Sequence, residues 1–228
     1  MFEKIKSVYV GKFSSFIGSH HFLTIVLFIL WISVPIVLLL QKLKSRIHPN
    51  VITLASFVVG LSASYFFFED RLFFGAISYF LFLVLDDVDG MWARLTGKTS
   101  HLGRMLDYYV GHIGTVSMYF GIWYSQYYTR GEWSIGTFLI AARYVIALCL
   151  QVLVESSTYG TILPRVSSYY SSQEEKFGTF LVAPLLGIVR TLLPILISIQ
   201  LISFLVLFLR QKQRPDPRQR LKERTIIR

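Results

Sequence analysis

The sequence predicts an all-α protein: a polytopic transmembrane helix bundle with six core helices and an additional hydrophobic segment ahead of them. Three observations predict it. The 228 residues are 54% hydrophobic, with a mean hydropathy of +0.54. Several apolar runs reach the ~20 residues needed to cross a hydrocarbon core of roughly 30 Å. Lys and Arg gather beside those runs, as expected for a chain seated in an anionic bilayer. The net charge of +10 is therefore assigned to the lipid surface and not to nucleic acid. The 16% aromatic content suits interfacial belts. Cys149 is the single cysteine, so no intrachain disulfide forms.

Residues 1 to 21 alternate apolar side chains with Lys4, Lys6 and Lys12, a pattern that suits an amphipathic interfacial helix or a solvated start. Residues 22 to 40 are long enough to span and end at Lys42, Lys44 and Arg46. Pro49 and Asn50 punctuate the next helix start. Residues 51 to 68 then span once, to a polar turn at Glu69, Asp70 and Arg71. Residues 72 to 95 return, residues 102 to 128 cross again, and residues 134 to 154 follow. After a polar stretch at 156 to 176, residues 177 to 209 are too long for one span at 1.5 Å per residue. Arg190 and Pro194 interrupt them, so two helices with a break near those residues are expected.

Charge supports that split. Loops 42 to 50, 94 to 104 and 156 to 176 alternate onto one side and hold most of the loop Lys and Arg, which makes that side cytoplasmic. Two final helices return the tail, with its eight basic residues from Arg210 onward, to the same side. A full span at 22 to 41 would leave Lys4, Lys6 and Lys12 outside, so a half-inserted first segment is the alternative. The chain thus divides into an N-terminal segment (1–48), a transmembrane domain (49–210) and a basic cytoplasmic tail (211–228).

The candidate site lies where residues 72 to 95 turn acidic. Asp86, Asp87 and Asp89 close an otherwise membrane-like run, and ionisable groups at such depth are functional candidates by default. Asp86 and Asp89 are three apart and share a helix face, whereas Asp87 points roughly 100° away. Asp107 begins the next apolar helix. An antiparallel hairpin through residues 95 to 102 would bring its carboxylate to the first pair. Three hard oxygen ligands suit Mg²⁺, Mn²⁺ or Ca²⁺, and Mg²⁺ commonly keeps positions open for substrate phosphates. Gly90, Ala93 and Gly103 leave room for a bulky ligand, and Arg94 suits a phosphate.

These residues resemble the signature of the CDP-alcohol phosphotransferases: Asp, two residues, Asp-Gly, two residues, Ala-Arg, eight residues, Gly, three residues, Asp, three residues, Asp. Asp86, Asp89, Gly90, Ala93, Arg94, Gly103 and Asp107 match in identity and spacing, and the eighth fixed position falls on Gly111. The Pro49-Asn50-Val51-Ile52-Thr53 run is similar to one that precedes the family's first core helix. The resemblance implies transfer of a phosphoalcohol group from a CDP-linked lipid donor to an alcohol acceptor, with release of CMP. It implies Mg²⁺ or Mn²⁺ held by Asp86, Asp89 and Asp107, and a cytidine diphosphate lined by Gly90, Ala93, Arg94 and Gly103. It also implies a homodimer, and an active site that here faces the cytoplasm.

In the family the last Asp helps hold the second metal and is the proposed base, so Gly111 removes both roles. His112 is the candidate substitute base, one residue and about 100° of helix away; a packing or loop-facing histidine is the alternative. Arg143, Arg165 and Arg190 lie in or beside apolar segments and suit a phosphorylated acceptor, with a structural ion pair, as with Glu155, the other reading for each. Three functions follow: an active transferase with an altered base, a member that binds metal and CDP-lipid without turnover, or an ion-coupled transporter with facing acids. The fixed spacing of Gly90, Ala93, Arg94 and Gly103 argues against the last.

Overall fold

The computed structural model describes residues 31–43, 47–156 and 172–212. The N-terminal segment to residue 30, Arg165 and the tail from 213 lie outside the described residues. Helix α1 (Val34–Lys42) is followed by α2 (Pro49–Phe68), α3 (Leu72–Thr96) and α4 (His101–Trp123), which runs on into a π-helical turn, Tyr124–Tyr128. Helix α5 (Trp133–Ser156) comes next. Then α6 (Ser172–Phe177), a further π-helical turn (Gly178–Val182) and α7 (Ala183–Leu186) follow without interruption, and α8 (Val189–Lys212) closes the described chain. Among the described residues there is no strand.

Local chemistry explains the boundaries. His48 accepts a hydrogen bond from the backbone N–H of Asn50, and Pro49 occupies the first turn of α2, where its missing N–H is no loss. Gly97, at φ 68°, ends α3 in the left-handed conformation, with the Lys98 N–H donating to the Ala93 carbonyl. Ser100 caps α4 by accepting from the Gly103 N–H at 2.9 Å. The expected break after residue 177 falls at Gly187, where φ is 67°. Pro194 lies inside α8 and does not end it.

Among the described residues, three helices are long and apolar enough to cross a membrane: Pro49–Phe68, Trp133–Leu150 and Val189–Val206. Helix α3 is as long but carries the acidic run. The apolar helix Trp31–Lys42 is shorter than a span. Outward faces match a bilayer: on α2, Val51, Leu54, Val58, Leu61 and Tyr65 are exposed, while Ile52, Ser56, Gly60, Ala63 and Phe67 are buried.

The hairpin expected between α3 and α4 is not their main packing. Helix α2 lies along both of them, and α3 and α4 touch each other much less. Small residues permit this arrangement, as is usual where lipid supplies no hydrophobic drive between helices. A Cβ on Gly121 would come 2.6 Å from the Ser64 carbonyl oxygen of α2, and the Ser64 hydroxyl donates to the Ser117 carbonyl of α4. One end of the bundle is tied by Trp92, whose ring N–H donates to the Ile47 carbonyl at 2.9 Å. At the other end Gln126 donates to Asp70.

Two glycines separate packing from propensity. Gly121→Val is expected to lose roughly 1–3 kcal/mol through overpacking against α2. Gly111→Ala, where nothing lies within 4 Å of the added Cβ, is expected to gain up to about 1 kcal/mol of helix propensity. Thermal unfolding of the two variants in detergent measures both.

Candidate functional site

Helix α3 is continuous through its acidic run, so Asp86 and Asp89 do share one face. Asp89 is 4% exposed, and Asp86 and Asp87 are partly buried. Asp107 projects from the second turn of α4 and is exposed. The carboxyls of Asp86 and Asp107 lie close to each other. Asp89 also lies near Asp107 and near Thr53 of α2, whose hydroxyl donates to the Pro49 carbonyl at 3.3 Å. Asp87, despite pointing elsewhere around the helix, is close to Asp89, Arg94 and Asp107.

Two carboxylates so close repel unless a proton or a cation stands between them. Oδ1 of Asp86 and Oδ2 of Asp89 are buried without a hydrogen-bond partner. An all-oxygen donor set with unused buried lone pairs fits a hard divalent cation. Among the described residues, no group of three His, Cys, Asp or Glu side chains is placed so that it could hold a metal ion. Helix α2 also directs its N-terminus here, with Thr53 in its first turns, and that end of a helix favours negative charge.

The small residues surround the acids as the spacing requires. A Cβ on Gly90 would come 3.1 Å from an Arg94 guanidinium nitrogen, so Arg94 folds back along its own helix over Gly90 toward Asp87 and Asp89. On α4, a Cβ on Gly103 would meet Ser100 Oγ at 3.1 Å and Asn50 Oδ1 at 3.3 Å. Asn50 thus closes onto the glycine of the next motif. Ala93, one turn beyond Asp89, is partly buried.

Gly111 lies one helical turn past Asp107, with open space where a side chain would be. His112 is exposed, on the neighbouring strip of the helix. Its Nδ1 lies 2.8 Å from the Tyr108 carbonyl and its ring packs on the Tyr108 ring at 4.1 Å. Because a carbonyl only accepts, Nδ1 is the donor and Nε2 keeps its lone pair.

The arginines separate. Arg190 sits at the opposite end of the bundle, ion-paired with Glu132. Arg143 is 3% exposed and pairs with Glu175, not Glu155; its Nε donates to Oε2 at 2.9 Å. Its guanidinium also lies 4.8 Å from the Tyr119 ring centroid and 4.7 Å from that of Tyr144. Tyr119 and Thr179 donate to the other oxygen of Glu175. The π-helical turn that follows α6 is consistent with a local adjustment that places the network.

Sequence reasoning missed four residues at this end of the bundle: Thr53, Tyr79, Glu175 and Lys176. Buried Tyr79 lies close to both Glu175 and Asp86. Lys176 lies near Asp86, Arg143 and Glu175. The usable signal was a charged Glu-Glu-Lys abutting an apolar run, which reads as a loop end until α6 is seen to enter the bundle.

A family model described as CDP-alcohol phosphatidyltransferase matches residues 46–214. An archaetidylinositol phosphate synthase from Pyrococcus horikoshii is 37% identical over 76 residues, which are 33% of this chain and 40% of that protein. The match therefore spans less than half the length of that relative. No solved structure matches.

The Arg143 and Glu175 pair gives a direct test of the buried network. Arg143→Leu removes the guanidinium bonded to buried Glu175, and is expected to lose roughly 3–5 kcal/mol. The added change Glu175→Leu should recover much of it, as read by thermal unfolding of single and double variants.

Proposed function

The chain belongs to the CDP-alcohol phosphatidyltransferase family, and from that premise we propose that it transfers a phosphatidyl-type group from a CDP-linked lipid to an alcohol acceptor. The observation that carries this reading is the approach of Asp86 to Asp107 beside two unpartnered buried carboxylate oxygens. Asp86, Asp89 and Asp107 would hold Mg²⁺ or Mn²⁺, which when bound supplies neutralisation of the pyrophosphate charge. Gly90, Ala93 and Gly103 admit the cytidine diphosphate close to the backbone, and Arg94 is placed to meet a phosphate oxygen.

The acceptor hydroxyl oxygen forms a bond to the lipid-bearing phosphorus, the bond from that phosphorus to the CMP oxygen breaks, and CMP carries off the electron pair. The hydroxyl proton needs an acceptor. His112 is the proposed one, through the Nε2 lone pair that its Tyr108 contact leaves free. Similarity to a synthase named for archaetidylinositol phosphate supports a phosphorylated polyol as acceptor. Lys176, beside Asp86, is proposed to meet that acceptor's phosphate together with Arg165. The positive-inside pattern supports a cytoplasmic site, and a homodimer follows from the family resemblance.

A second reading has its own observation. The space beside Gly111 is open and His112 is held by its own helix, which supports a member that binds metal and CDP-lipid without turnover.

CMP release by the purified protein, with CDP-diacylglycerol or CDP-archaeol and inositol phosphate, distinguishes the two. For the transferase, release stops on metal chelation, returns with Mg²⁺ or Mn²⁺, and falls at least ~10²-fold in His112→Ala, the size expected for a lost base. Asp89→Asn and Asp107→Asn should abolish it. A silent protein that Gly111→Asp converts to an active one establishes the second reading.

A further inference from the structure

At the end of the bundle away from the acids, a cavity of about 880 Å³ opens between the 69–71 turn, the π-helical turn after α4, the start of α5 and the Gly187 break. Its volume lies within the ~300–1,000 Å³ range of small-molecule sites. The rim is charged: Asp70, Arg130, Glu132 and Arg190. The wall below is apolar, formed by Leu72, Ile135, Leu139, Pro184 and Pro194. Neither π-turn nor break is incidental to it. The turn at Tyr124–Tyr128 places Tyr127 on the lining, and left-handed Gly187 separates α7 from α8 along one side.

The rim holds two guanidiniums and two carboxylates, already paired as Arg190 with Glu132 and Arg130 with Asp70 at 3.7 Å. All four side chains remain substantially exposed. Surface pairs of this kind are worth little, so they can exchange partners. An arriving phosphate competes well for a guanidinium, but a purely anionic ligand would then strand a carboxylate beside it. Only a ligand that brings its own cation leaves every charge paired. Tyr127 adds an independent sign: it is 2% exposed, lines the cavity, and its hydroxyl has no hydrogen-bond partner. That O–H suits a phosphate oxygen. The apolar wall suits acyl chains.

We propose that this cavity is a second lipid site, distinct from the acidic end, which binds a zwitterionic phospholipid with a primary ammonium beside its phosphate. Arg130, Arg190 and Tyr127 take the phosphate, and Asp70 and Glu132 take the ammonium. A quaternary ammonium has no N–H to give those carboxylates and binds less well. The inference stands independently of the proposed reaction, because it uses none of the residues at the acidic end.

Native mass spectrometry of the full-length protein in detergent tests it, with phosphatidylethanolamine, phosphatidylcholine, phosphatidylglycerol and the acyl-free glycerophosphoethanolamine as titrants. Phosphatidylethanolamine should bind at least tenfold tighter than each of the other three. Glu132→Gln, which keeps the side-chain shape, should weaken it at least tenfold, and Ile135→Trp, which fills the cavity from the apolar side, should do the same. Equal binding of phosphatidylglycerol overturns the charge-exchange argument, and equal binding of glycerophosphoethanolamine overturns the lipid assignment. Absent binding, or binding that neither variant weakens, overturns the site.

Discussion

Carboxylates placed together inside an apolar bundle repel one another and lose hydration, and the architecture at one end of this protein is arranged around that constraint. Asp86 and Asp107 approach each other from different helices, with Asp89 behind them and buried. The surrounding elements supply what such a group needs. Arg94 folds back over Gly90, Lys176 enters from α6, and the start of α2 adds Thr53. Helix α2 is the scaffold for this, since it packs along both acid-bearing helices while they contact each other little.

A second polar cluster lies deeper. Glu175 is fully buried and accepts from Arg143, Tyr119 and Thr179, so its charge is met by one cation and two hydroxyls. Buried pairs of this type rarely add net stability compared with an apolar core, but breaking one is costly. Tyr79 and Lys176 connect this cluster in space to Asp86. The two polar groups therefore form neighbouring parts of one interior, and the aromatic core of Phe67, Tyr79, Tyr119 and Phe180 packs around them.

The opposite end uses charge differently. Its ion pairs are between exposed side chains on loops and helix starts, tying the 69–71 turn to the α4–α5 connection and that connection to α8. One end of the bundle thus gathers acids, and the other carries ion pairs between exposed side chains.

Much was legible in the sequence alone because it depends on local spacing. Apolar run lengths determined a membrane helix bundle, Pro49 and Asn50 marked the α2 start, and the three-residue interval put Asp86 and Asp89 on one face. The seven matching motif positions determined the family. Arg143 and Glu175 could not be paired from the sequence, since they lie on different helices and Glu175 sits in a polar stretch that reads as loop. Nor could spacing show that α2 would be the packing partner of both α3 and α4, or that Gly187, not Pro194, would break the last apolar run. Those outcomes depend on which side chains remote in the chain fit together at close range. Only the tertiary structure decided them, because small residues such as Gly121 set how near two helix backbones come, and that distance decides which polar groups can meet.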